Sequence, residues 1–152
     1  MRQFRKGKRL ISLCEQKSLA VQRVIARLNS DRKDLVEKIA QCDAELQSLE
    51  QVLKTLQFND TSVTRAEIFS QIKQQAMLLH QRVNVNLERG MHIENVADID
   101  TEIERCQKQL AVLKRKEMKF TKWMQQGKQR WMMQQESVSE DEKLDLFPWM
   151  TK

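Results

Sequence analysis

Cys14, Val21, Leu28, Leu35, Cys42, Leu49 and Leu56 recur at every seventh position without a gap. A second heptad series interleaves with it: Ile11, Ser18, Ile25, Arg32, Ile39, Leu46 and Leu53. All but Ser18 and Arg32 in this series are apolar. The two series read as the d and a positions of a coiled-coil seam. Such a seam requires one unbroken helix over about residues 3–57, roughly 80 Å long at ~1.5 Å per residue. A helix of that length cannot wrap around a pocket, so the chain reads as a strut that works by reaching something.

Composition agrees with an all-α chain. One Pro, three Gly and 32% charged residues leave few helix breakers among many good helix formers. The hydrophobic residues lie in stripes, and no run approaches the ~18 consecutive apolar residues of a membrane span. Segment 1–9 is basic with no apolar stretch behind it, which does not read as a secretory signal. A cytoplasmic location is expected. Cys14 and Cys42 lie on the d series and Cys106 on a later apolar stripe, positions that suit small buried hydrophobes. With no Cys-x-x-Cys and no Cys/His cluster along the sequence, neither a metal site nor a cofactor is expected.

The first helix ends with its seam. Residues 58–63 form a polar segment that reads as a turn. Thr64 and Glu67 then have the spacing of a capping box. The second helix is expected over about 64–136, with its stripe at Phe69, Ile72, Ala76, Leu79 and Val83. A six-residue connection between two long amphipathic helices makes them antiparallel. The expected fold is therefore an all-α, long antiparallel two-helix coiled-coil hairpin over 1–136, followed by a flexible acidic tail at 137–152.

The second arm reads as less regular. The stripe falters over 84–95, around Gly90, and resumes as Val96, Ile99, Ile103, Cys106, Leu110, Leu113, Phe120, Met124 and Trp131, one residue out of phase. The slip points to a kink or a heptad discontinuity near Gly90. A hairpin centred on the turn sets Arg32 opposite this region, with Glu88 or Glu94 as its partner and register as the role of the pair.

The net charge of +6 is concentrated. Arg2, Arg5, Lys6, Lys8 and Arg9 open the first helix; Lys114, Arg115, Lys116, Lys119, Lys122, Lys128 and Arg130 crowd the later part of the second. An antiparallel hairpin brings these clusters together as a basic pole suited to an acidic surface or a polyanion. No catalytic constellation accompanies it. Gly7, Gly90 and Gly127 are isolated, His80 and His92 lack a nucleophile at useful spacing, and the carboxylates around Asp98–Glu104 read as a solvated face. The chain is therefore expected not to be an enzyme. The remaining classes are a protein that bridges two partners, an export chaperone-escort gripping clients through its Met-rich end, and a basic RNA- or DNA-binding coiled coil. The internal pairing of the first helix speaks against a bZIP-like dimer.

Several short motifs in order carry a family resemblance: Leu53-Lys-Thr-Leu56, Thr64-Arg-Ala-Glu-Ile-Phe69 with Lys73-Gln-Gln75, Arg115-Lys-Glu117, Phe120-Thr-Lys-Trp123 and Lys128-Gln-Arg-Trp131. Over about residues 46–135 the chain resembles the SpaM/InvI proteins, the SctO group of type III secretion stalk proteins, which are similar to flagellar FliJ. The resemblance implies a virulence-associated central stalk at the cytoplasmic face of the bacterial inner membrane. It also implies as partners a hexameric secretion ATPase, an export gate protein of the SctV type and, in some members, export chaperones. Carried over residue by residue, the gate contacts would be Leu46, Leu49, Leu53, Phe69, Lys73, Ala76 and His80. The ATPase contacts would be Arg2, Arg5, Lys6, Lys8, Arg9, Lys114, Arg115, Lys116, Lys119 and Lys122.

Overall fold

The computed structural model describes residues 2–56 and 64–150, with side chains through 142. The fold is an all-α helical hairpin of two long helices packed against each other, α1 (Arg2–Leu56) and α2 (Arg65–Met150), with no strand among the described residues. The expected turn at 58–63 lies outside the described residues. α2 begins where the capping pattern places it. Thr64 precedes the helix, and its carbonyl accepts from the Glu67 and Ile68 N–H groups, both at 3.1 Å.

Two boundaries differ from the sequence expectation. α2 passes through Gly90 as unbroken helix, because a lone glycine costs only ~1 kcal/mol relative to alanine and the flanking turns supply their own bonds. α2 also continues beyond 136 to Met150. Residues 134–147 contain neither Gly nor Pro, so nothing in the covalent chain stops the helix before Pro148.

Along α1 the least exposed positions follow the expected heptads, with Cys14, Ser18, Cys42 and Leu49 buried and the intervening members half-buried; Arg32 alone is exposed. Along α2 the seam is not the stripe expected from the sequence. The inward positions are Gln71, Gln75, Leu78, Arg82, Val85, Arg89, His92, Val96, Ile99, Ile103, Cys106, Leu110, Leu113, Glu117, Phe120 and Met124, at strictly alternating spacings of four and three. The phase is constant through Gly90. Phe69, Ile72, Ala76, Leu79 and Val83 form a second, exposed row beside this seam. Both rows have helical periodicity, and periodicity alone does not say which one faces the partner helix. The apparent phase slip was a change from one row to the other.

Contacts cluster the chain into two compact units: Met1–Val24 with Cys106–Lys152, and Ile25–Arg105. In the second unit Cys42, Leu49 and Val85 form the buried core, with Leu46 and Leu78 packed against them. Its α2 seam is half polar. Arg82 and Arg89 lay their aliphatic stems along the seam and send their guanidinium groups outward to Glu50 (3.6 Å) and Asp43 (2.6 Å). Arg32 pairs with Asp100 at 2.7 Å, not with Glu88 or Glu94. All three ion pairs share one register, which sets Leu56 level with residues 75 and 76 of α2. Residues 64–70 accordingly have no α1 residue beside them and are all exposed. The expectation for Arg32 failed because it centred the hairpin on the turn, whereas α2 starts well before it meets the end of α1.

In the first unit the two helices approach closely at Gly7. A Cβ there would stand 2.5 Å from Met124 Cγ, 2.8 Å from its Sδ and 3.3 Å from the Trp123 ring. Gly7 is buried for that reason: only hydrogen fits beneath the thioether.

Candidate docking interfaces

In the unit Ile25–Arg105, the four α2 positions of the expected gate contact share one exposed face. Phe69, Lys73, Ala76 and His80 are spaced by four, three and four residues and are all accessible to solvent. Phe69 is 72% exposed. The face is broadened by Ile72, Leu79, Val83 and Leu87, which are exposed to between 48 and 64%. Exposed apolar rows of this kind are a common feature of interaction surfaces. The three α1 positions of that set are placed differently. Leu49 is buried and Leu46 and Leu53 are half-buried, all on the seam facing α2. They hold the helices together, and the accessible part of the set lies on α2.

The unit formed by Met1–Val24 and Cys106–Lys152 gathers the expected basic residues. Arg2, Arg5, Lys6, Lys8, Arg9, Lys114, Arg115, Lys116, Lys119 and Lys122 all belong to it, and all ten are exposed. None forms an ion pair among the described residues. Lys8 lies over the Phe4 ring, 5.4 Å from its centroid. Beside these cations an open groove of about 420 Å³ is lined by Phe4, Trp123, Met124, Gly127 and Trp131, with Lys128 and Arg130 at its edge. Aromatic faces next to unpaired cations suit a partner that offers both apolar and acidic groups.

Two of the carboxylates with catalytic potential are engaged in ion pairs. Glu102 pairs with Arg105 at 3.0 Å and Asp100 with Arg32. His80 is exposed on the apolar face. His92 turns into the seam, with Nε2 3.6 Å from Glu88 Oε1. One juxtaposition escaped sequence reasoning: Cys42 on α1 meets Glu88 and His92 on α2, with their ligand-capable atoms all within 4.8 Å of one another. The i, i+4 spacing of Glu88 and His92 was legible, but bringing Cys42 to them depends on the register. Burial, reinforced by the carboxylates of Glu88, Glu45 and Asp43 and partly offset by Arg89, raises the Cys42 thiol pKa.

The family model described as Salmonella surface presentation of antigen gene type M protein matches residues 5–144. The chain belongs to this family. The match spans both helices and both units, including the basic cluster of 114–122 and the exposed row from Phe69 to Val83. Membership suggests a type III secretion-associated protein, in agreement with the expectation from the sequence, and the family is not a known enzyme family. No helix among the described residues is long and apolar enough to cross a membrane. No curated protein and no solved structure matches the chain.

Proposed function

We propose that this protein is the central stalk of a type III secretion ATPase complex, without catalysis of its own, working at the cytoplasmic face of the inner membrane. The basic unit docks the hexameric ATPase through Arg2, Arg5, Lys6, Lys8 and Arg9 together with Lys114, Arg115, Lys116, Lys119 and Lys122. The unit Ile25–Arg105 meets the export gate through Phe69, Lys73, Ala76 and His80. The supporting observation is the division of exposed chemistry between the units: unpaired cations in one and an uncovered apolar row in the other. Surfaces this unlike suit different partners, because a cationic face is steered to acidic groups while an apolar row gains by losing water.

Turnover of the cognate ATPase tests the reading. Adding the chain should stimulate hydrolysis, and reversing Arg5, Lys6, Lys116 and Lys119 to glutamate should abolish stimulation. Full stimulation by that variant at low salt, where charge effects are strongest, would remove the ATPase from the proposal.

A second reading, an export chaperone-escort, is favoured by the exposed methionines Met118 and Met133. Their flexible thioethers suit varied clients. Such a protein would bind export chaperones with the ATPase absent, and Met118→Ser with Met133→Ser would weaken that binding without changing ATPase stimulation. A nucleic-acid binder would instead shift generic RNA with a steep salt dependence.

A further inference from the structure

We propose that Cys42, Glu88 and His92 form a binding site for a borderline-soft divalent transition-metal ion of the zinc type, joining α1 to α2 within the unit Ile25–Arg105. The three side chains come from both helices, and their ligand atoms already lie within 4.8 Å of one another. Nε2 of His92 stands 3.6 Å from Glu88 Oε1. Three ligands around a tetrahedral zinc ion, at ~2.0–2.3 Å from it, need separations of roughly 3.3–3.8 Å, so the ligand atoms must close in by up to about 1 Å. Glu88 is the most exposed of the three, its side chain 62% accessible, and can close the remaining distance by changing rotamer.

Independent observations point to a ligand. Nδ1 of His92 is buried with no hydrogen-bond partner. A seam position filled by an apolar residue would avoid that cost, and a metal bound directly at Nδ1 would offset it. The local field also has the right sign. Glu88, Glu45 and Asp43 all act on Cys42 as negative charges, opposed only by Arg89, and a surplus of negative potential beside a thiol attracts a cation. The donor set of one sulfur, one imidazole nitrogen and one carboxylate oxygen selects zinc-like ions over magnesium or calcium, which prefer oxygen throughout. On binding, the Cys42 S–H bond breaks, the sulfur pair forms the bond to the metal and the proton leaves to buffer. Water takes the fourth position, on the open side of Glu88. The site does not depend on the stalk reading.

The full-length chain, stripped with chelator and titrated with Co²⁺ and then Zn²⁺, tests the assignment. Expected are one equivalent of Co²⁺ with a sulfur-to-cobalt charge-transfer band and the intense visible bands of a four-coordinate site, displacement by Zn²⁺, and a rise in melting temperature on loading. Cys42→Val keeps the seam apolar and should remove the charge-transfer band and weaken binding at least a hundredfold. His92→Leu should do the same, and Glu88→Gln should weaken binding about tenfold. Cys14→Ser, Cys106→Ser and His80→Ala should leave the spectrum unchanged. Far-ultraviolet circular dichroism of each apo variant shows whether the helices persist. A wild-type chain without a thiolate band, a band that survives Cys42→Val in a helical protein, or a band that vanishes with Cys14→Ser would each overturn the assignment.

Discussion

Nε of Arg32 donates to Oδ1 of Asp100 at 2.7 Å, and this bond reports the alignment of α1 with α2 in the unit Ile25–Arg105. Both side chains are about half exposed, so the pair should contribute only ~0.2–1 kcal/mol. Its value is positional, because a mismatched charge on the a series disfavours other registers. Arg32→Asp should lower the melting temperature by a few degrees, and adding Asp100→Arg should restore it. Thermal unfolding of the two variants checks this. Restoration by Glu88→Arg or Glu94→Arg instead would show that the helices are aligned differently.

Seam and exposed row on the two helices should separate cleanly in stability. Leu49 is 6% exposed in the Cys42–Val85 cluster, and Leu49→Ala should cost ~2–4 kcal/mol. Phe69 is the larger side chain but lies in solvent, so Phe69→Ala should change stability by less than ~0.5 kcal/mol. Urea denaturation followed by circular dichroism measures both. Equal losses would mean that the Phe69 row is packed.

Gly7 makes a local demand in the other unit. Leucine there must displace Met124 and push on the Trp123 ring. Overpacking should cost ~1–3 kcal/mol, more than the gain from replacing a helical glycine. Met124→Ala in the same chain should recover much of the loss, as a double-mutant cycle of denaturation midpoints would show.

The Cys42 thiol should be slow to alkylate. Burial first, then the Glu88, Glu45 and Asp43 carboxylates, lift its pKa above the ordinary 9.0. At any pH below that range it holds less thiolate than a free cysteine, and thiolate is the reactive form. In chelator, a chain with Cys42 as its single cysteine should react well below the rate of the urea-unfolded chain. Its rate should begin to rise at a higher pH than that of a free thiol. Equal rates in folded and unfolded chains would place the thiol in solvent.

Much of this fold is written plainly in the chain. From Cys14 to Leu56 the α1 seam follows directly from seven-residue spacing, and Thr64 marks the start of α2. The α2 seam before Val96 is not legible. Gln71, Gln75, Arg82, Arg89 and His92 occupy inward positions there, while the apolar residues that hydrophobic patterning selects stand on the outside. Arginine can take a seam position because its stem is apolar and its charge escapes to Glu50 or Asp43. Such a substitution hides a core position from any reading based on hydrophobicity. The same reversal made Phe69 and Ala76 look like packing residues, although both are exposed. The basic surface was legible because antiparallel pairing brings the start of α1 and the later part of α2 into one unit. The meeting of Cys42 with His92 was not, because it depends on that register.

That one chain serves two partners at once is tested by simultaneous binding. The chain, the ATPase hexamer and the cytoplasmic ring of the gate should form a ternary complex, with its mass measured by analytical ultracentrifugation. Phe69→Ala with His80→Ala should remove the gate and keep the ATPase. Glutamate at Arg5, Lys6, Lys116 and Lys119 should remove the ATPase and keep the gate. Competition of the two partners for one surface, or loss of both from either variant while helicity is intact, would contradict it.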